Sequence, residues 1–347
     1  MTFIIGKFAR VAVWSLAVGV ACGAYPFAAQ LLAQGSASPA TGSAVEAGGV
    51  EVLQLRPNLF LIASGGANVV VQVGTDGAIV VDTGTAASAP AVLAAIKRLT
   101  AQPIRYVINT NADPDHVGGN EVVVKAGMSL FTLPTFSTSL PTPTGAQVVA
   151  SQQVLARMSG AVGGGHAFPQ GAWPTETFRQ KRRYMFFNDE GIDMLHQPAA
   201  HSDGDVVVVF RRSDIVVAGD VLDTTRFPVI DVASGGSVQG ELDALNRLLE
   251  LVIPSWVPIG SHDAGTWVVP GHGRVCNQLD VADYRDMVTI IRDRVQDMIA
   301  RGLTLAQVQA AAPAQGYARR YGSEGGSWTT QMFVEAVYRS LKAAGPQ

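Results

Sequence analysis

The segment Thr110-Asn111-Ala112-Asp113-Pro114-Asp115-His116-Val117-Gly118-Gly119-Asn120 places four candidate metal ligands, Asn111, Asp113, Asp115 and His116, within six residues. They follow the apolar run Tyr106-Val107-Ile108 and stand just before a Gly-Gly pair. Alternate side chains of an extended segment point the same way, so Asn111, Asp113 and Asp115 can be aimed together, with the His116 imidazole beside them. Pro114 disfavours the helical region for Asp113 and holds it extended, which fixes the direction of that carboxylate. A solvated acidic loop is the plain alternative for the segment taken alone.

Three more polar residues stand beside short apolar runs further along. They are His201 in Ala200-His201-Ser202-Asp203-Gly204-Asp205, Asp220 in Val216-Val217-Ala218-Gly219-Asp220, and His272 in Pro270-Gly271-His272-Gly273. The neighbouring runs, 206–210, 215–218 and 267–269, are bounded by Gly or Pro and read as buried strands. Upstream, Ala78-Ile79-Val80-Val81-Asp82-Thr83-Gly84 is another strand ending in a carboxylate. Strand ends on a rigid scaffold can converge such side chains on one point.

This order of motifs resembles the metallo-β-lactamase-fold superfamily over roughly residues 50 to 275: the Asp82 strand end, the Asp115-His116-x-Gly-Gly signature, then His201, Asp220 and His272. The resemblance implies a four-layer αββα sandwich with a metal site at one end of its two sheets, and metal-activated water as nucleophile. It also implies ligand roles. Asp115, His116 and His272 match the ligands of one metal, and Asp220 matches a carboxylate that bridges it to another. The positions of Asn111 and Asp113, with His201, would hold that other metal, yet the usual signature has histidines where this chain has Asn111 and Asp113. The remaining histidines, His166, His196 and His262, match no ligand position.

Donor chemistry separates the two seats. Asp115, His116, His272 and Asp220 offer two nitrogens and two carboxylates, a set suited to zinc and compatible with iron or manganese. Asn111, Asp113, His201 and Asp220 are oxygen-rich, favouring manganese, magnesium or weak zinc occupancy. The three carboxylates Asp113, Asp115 and Asp220 lower the Lewis acidity of the centre, so bound water should ionise less readily than the pKa of about 7 reached in zinc hydrolases. The expectation is one tightly held zinc and a second site that is weak or absent. Asp113 is the candidate general base, and His201 the candidate for orienting substrate or sharing the proton.

Members of the resembled superfamily that are dedicated β-lactamases usually have Cys or Ser where Asp220 stands, so the likeness leans to thioesterases and lactonases. The expected activity is hydrolysis of a carbonyl ester, thioester, lactone or amide in a small molecule, with β-lactams as a side activity. The rival reading is a non-catalytic metal-binding or scaffold protein with a partly decayed site, motivated by Asn111 and Asp113. A persulfide-type iron oxygenase is a third, but that branch normally keeps the two histidines.

Composition frames these readings. The chain has 347 residues, 48% hydrophobic and 15% charged, with a formal net charge of −3. That is ample for one large domain with an extension. Lys and Arg total 25 against 28 acids and form no long block, which argues against a nucleic-acid partner. Lys7 and Arg10 precede an apolar stretch at 11–24, so residues 1–34 read as a signal peptide or an uncleaved N-terminal anchor. A periplasmic or secreted protein follows, touching membrane only through that segment if it is retained. Residues 35–48, rich in Ser, Ala and Gly, read as a linker, 49–275 as the sandwich and 276–347 as a helical extension. After cleavage only Cys276 would remain, so no internal disulfide is expected.

Residues 132–190, with Pro134, Pro141, Pro143 and Gly163-Gly164-Gly165-His166, read as a long loop carrying a helix over 147–158. Phe168, Trp173 and Phe178 are candidates for pocket walls or for packing that loop down. Arg226, with Phe227 beside it, is close enough to Asp220 in sequence to meet a substrate carboxylate. Apolar spacing predicts helices over 281–300, over 305–312 behind a Thr304 cap, and over 329–341.

Overall fold

The strands read as nearly continuous apolar runs because both of their faces are covered. In Gly77-Ala78-Ile79-Val80-Val81, Ile79 and Val81 point into a cluster shared with the other sheet, while Ala78 and Val80 point into a cluster shared with helices. Complete burial of each of these Val and Ile side chains contributes roughly 1.5–3 kcal/mol. The computed structural model describes residues 45–46, 49–130, 145–162, 168–255 and 265–344. The expected targeting segment, Pro134, Pro141, Pro143, Gly163 to His166 and His262 lie outside them.

The first sheet has eight strands in chain order: β1 (Val45–Glu46), β2 (Glu51–Arg56), β3 (Leu59–Ala63), β4 (Asn68–Gly74), β5 (Gly77–Val81), β6 (Ile104–Ile108), β7 (Gln147–Ser151) and β8 (Glu176–Phe178). It is antiparallel through β5 and parallel from β5 to β8. The second has five strands: β9 (Arg182–Phe187), β10 (Glu190–Gln197), β11 (Asp205–Phe210), β12 (Ile215–Asp223) and β13 (Trp267–His272), the last pair parallel. Leu61, Val70, Ile79 and Ile108 of one sheet meet Met194, Val208, Phe210 and Val217 of the other.

Helices α1 (Ala89–Leu99) and α3 (Asn120–Ala126), separated by the short α2 (Pro114–Val117), cover the outer face of the first sheet through Val92, Ile96 and Val123. Helix α4 (Gln152–Met158) follows β7. On the outer face of the second sheet lie α5 (Val238–Leu251), α6 (Gln278–Ala300) and α9 (Thr330–Ala344), with the short α7 (Leu305–Ala310) and α8 (Ala318–Tyr321) between the last two. This is the expected αββα sandwich, with C-terminal helices forming part of its fourth layer. Phe227, just after β12, stacks on Phe333 of α9 at 4.8 Å, its amide donates to Tyr321 O at 3.0 Å, and the Tyr284 hydroxyl of α6 donates to Arg226 O at 3.3 Å. Among the described residues no helix is long and apolar enough to cross a membrane.

Two local expectations need correction. Residues 147–158 are not one helix: Val148, Val149 and Ala150 are buried in a parallel strand, and the helix starts only after Ser151, whose Oγ accepts the Val154 amide. β-branched residues covered on both sides favour the strand over the helical spacing. The long C-terminal helix begins at Gln278 rather than 281 because the Asn277 side chain accepts the amides of Leu279 and Asp280 while Asp280 bonds back, a capping box.

Candidate metal centre

Strand β5 runs straight into Asp82, whose φ of 59° is unusual for a residue with a side chain. The turn puts its buried carboxylate under the β6–α2 loop. There it accepts the Thr110 amide at 2.8 Å and the Thr110 hydroxyl at 2.6 Å, and it faces His116 Nδ1 at 2.8 Å. A carboxylate only accepts, so the proton of that contact sits on Nδ1 and Nε2 is turned outward with its lone pair. Asp82 therefore orients an imidazole.

The loop itself is shaped by its neighbours. Asp113 caps α2 in the extended conformation Pro114 imposes, with φ −73° and ψ 145°, yet makes no side-chain cap bond, leaving its carboxylate free for the cleft. Gly119 is required by close approach, since a Cβ there would run into Thr83 O. From the other sheet, Asp220 lies within β12 and His272 closes β13. Gly271 leaves room for Asp220: a Cβ there would collide with Asp220 Oδ1. His201 precedes β11, and its Nδ1 lies 2.8 Å from Val229 O, which again sends Nε2 toward the cleft.

These elements bring two three-residue groups together. Ligand atoms of Asp115, His116 and His272 lie within 4.8 Å of one another, as do those of Asp113, His201 and Asp220. His272 Nε2 is 3.2 Å from Asp115 Oδ2 and 3.5 Å from Asp220 Oδ1; His116 Nε2 is 3.1 Å from Asp220 Oδ2; His201 Nε2 is 3.2 Å from Asp113 Oδ2. Four converging atoms, His116 Nε2, His201 Nε2, His272 Nε2 and Asp220 Oδ1, are buried without a hydrogen-bond partner among the described residues. Leaving such atoms unsatisfied is costly, and two imidazole nitrogens with two carboxylates are a donor set that zinc accepts. The residues fit a metal ion.

Electrostatics agree. Burial alone would lower the three imidazoles, but carboxylates hold all of them above the ordinary histidine value: Asp220 and Asp82 around His116, Asp113 beside His201, Asp115 and Asp220 beside His272. Burial would likewise raise Asp220 and Asp115, yet the imidazoles keep both carboxyls below their usual range. The negative potential that draws protons to these rings also draws a cation.

Asn111 takes a different part from the oxygen ligand expected of it. Its Oδ1 already accepts the Asp113 amide at 2.9 Å, and its Nδ2 donates to Asp220 Oδ2 at 3.1 Å. Arg226 is tied to Asp223 at 2.6 Å. Phe178 sits in the core between the sheets, while Phe168 and Trp173 pack against Val154 and Met158, so packing rather than a pocket wall accounts for all three. His196 bonds Asp203 O at 2.7 Å. Two carboxyls near His201 had no role assigned from the sequence, although Asp205 closes the His201-to-Asp205 run that leans toward thioesterases and lactonases. Burial pushes Asp205 up to about 7 against the pull of His201. Glu241 of α5 is fully buried with neither oxygen paired among the described residues, and burial, then Asp205, raises it well above the usual value. A glutamate in a first helical turn is ordinary in sequence, so nothing marked it.

Residues 63–129, which include Asp82 and the 111–116 loop, match the family model of the Metallo-beta-lactamase superfamily. Among solved structures, a double mutant of the sec-alkylsulfatase PisA1 aligns with a TM-score of 0.61 at 16% identity, over 83% of this chain and 49% of that one. The stereoselective inverting sec-alkylsulfatase Pisa1 from Pseudomonas sp. aligns at 0.56 and 15% identity over the same shares. DIM-1 metallo-beta-lactamase aligns at 0.50 and 14% identity, over 70% of this chain and 99% of that one. The chain spans about half the length of the alkylsulfatases it matches. No curated protein sequence matches it. The fold is the metallo-β-lactamase fold.

Proposed function

We propose that this protein is an exported metal-dependent hydrolase of a small molecule, cleaving a carbonyl ester, thioester, lactone or amide, with β-lactams within reach. The observation that carries the reading is the set of buried, unpaired atoms on His116, His201, His272 and Asp220 converging at one end of the sandwich. Asp115, His116, His272 and Asp220 would hold one ion tightly, zinc by donor type, with iron or manganese as substitutes. Asp113, His201 and Asp220 would offer a weaker second seat. When bound, the ion polarises the scissile carbonyl and lowers the pKa of the attacking water.

The chain's own groups supply the rest. The Asp113 side chain is 44% exposed at the rim, facing His201 Nε2 at 3.2 Å, where it can take the proton of the attacking water. His201, anchored through Nδ1 to Val229 O, holds that proton at Nε2 and returns it to the leaving group. Export rests on Lys7, Arg10 and the apolar stretch 11–24. The test is metal analysis of purified protein alongside hydrolysis of nitrocefin, a lactone and a thioester with and without chelator. Chelator-sensitive turnover of any one supports the reading. Metal-free protein inert toward all three, with or without added zinc, points instead to a scaffold.

A further inference from the structure

We infer that Asn111 is a positioning residue that weakens the second cation seat: its amide NH2, aimed at Asp220 Oδ2, occupies the oxygen that would otherwise bridge to a second ion. This rests on the metallohydrolase reading above and concerns how many ions the centre admits.

The amide orientation is set by its surroundings. The Asp113 backbone N–H lies 2.9 Å from Asn111 Oδ1 and needs an acceptor there. Rotating the amide by half a turn would set NH2 against that N–H and an oxygen against the Asp220 carboxylate, losing both bonds at a buried position. With the amide held, Asp220 Oδ2 accepts from Asn111 Nδ2 at 3.1 Å and lies 3.1 Å from His116 Nε2. Asp220 Oδ1 is left buried and unpaired, 3.5 Å from His272 Nε2. A cation lying among Asp113, His201 and Asp220 would meet the positive hydrogens of an amide in place of a lone pair.

The experiment uses full-length protein, stripped of metal and titrated with zinc against a chromophoric chelator, with cobalt absorption as a second readout. Wild type should bind one tight equivalent. Asn111→Asp keeps size and shape and still accepts the Asp113 amide, but presents an oxygen to Asp220 Oδ2. A second zinc equivalent should then bind at least tenfold more tightly than any second equivalent in wild type. Asn111→Leu should keep one equivalent, held about 10–100-fold more weakly, the usual cost of losing an outer partner of a ligand, with an altered cobalt spectrum. If the leucine variant fails to fold, the isosteric aspartate decides alone. The inference is overturned if Asn111→Asp binds one zinc with wild-type affinity, or if wild type binds two tight equivalents. A wild type that binds no divalent cation sinks the hydrolase reading itself.

Discussion

The two donor groups that meet at Asp220 contain the same number of titratable residues and are built to different standards. In the group of Asp115, His116 and His272, the central imidazole is fully buried and held from behind by Asp82, itself locked by two bonds from Thr110. In the group of Asp113, His201 and Asp220, His201 is anchored by a backbone oxygen, but Asp113 stands at the rim with no bond to its cap position, and Asn111 offers hydrogens where a ligand would offer a lone pair. Ligand count does not distinguish the seats. What stands behind each ligand does.

The largest effect expected from this contrast is at His116. His116→Ala should weaken zinc binding by more than the roughly 10–100-fold cost of losing an outer partner and abolish turnover, both readable by chelator competition and substrate hydrolysis. Wild-type zinc affinity in that variant would mean the braced group is not the seat. At the looser group, Asp113→Ala should lower kcat by about 10²–10⁴, the range of a lost general base, while zinc content stays at the wild-type level. Turnover that survives intact removes Asp113 from its role. Asp82→Asn sharpens the comparison from behind. It keeps the shape but no longer fixes the proton on His116 Nδ1, and zinc affinity should fall about 10–100-fold with the melting temperature of the metal-free protein little changed.

The smallest effect concerns Glu241. Its carboxyl value is raised in the folded chain, by burial first and then by Asp205, so its protonated form belongs to the native state. The stability this gives is fully present below the ordinary carboxyl value and is lost as the pH rises toward the raised one. Glu241→Gln cannot ionise, so it should melt above wild type at pH 8 and with it near pH 4. Each kcal/mol gained would show as roughly 2–4 °C. Equal melting at both values would show that ionising Glu241 costs the fold nothing.

The sequence made the centre legible where chemistry and chain geometry coincide. His272 ends β13, Asp115 and His116 lie in α2 shortly after β6, and Asp220 lies inside β12 rather than at its end; their approach was expected from pattern and resemblance. Asp82 was visible as a strand-end carboxylate, but its hold on His116 needed the positive φ that turns it inward. The part played by Asn111 was hidden because an amide can give or accept, and only the Asp113 amide decides which end faces Asp220. The strand over 147–151 was masked by its continuity with α4, and the burial of Phe178 by a loop too long to place from composition.

The stacking of Phe227 on Phe333, with the Tyr284 hydroxyl and the Tyr321 carbonyl gripping the same short stretch, bears on anyone wishing to shorten this chain. A stop codon after residue 275 looks harmless on a motif map, since every donor precedes it. Yet it would strip the backing from the segment that leaves Asp220 and Asp223, and bare the apolar side of β12 and α5 to water. Expression trials of such a trimmed version should yield inclusion bodies, whereas fusions that keep Gln278 onward should remain well behaved.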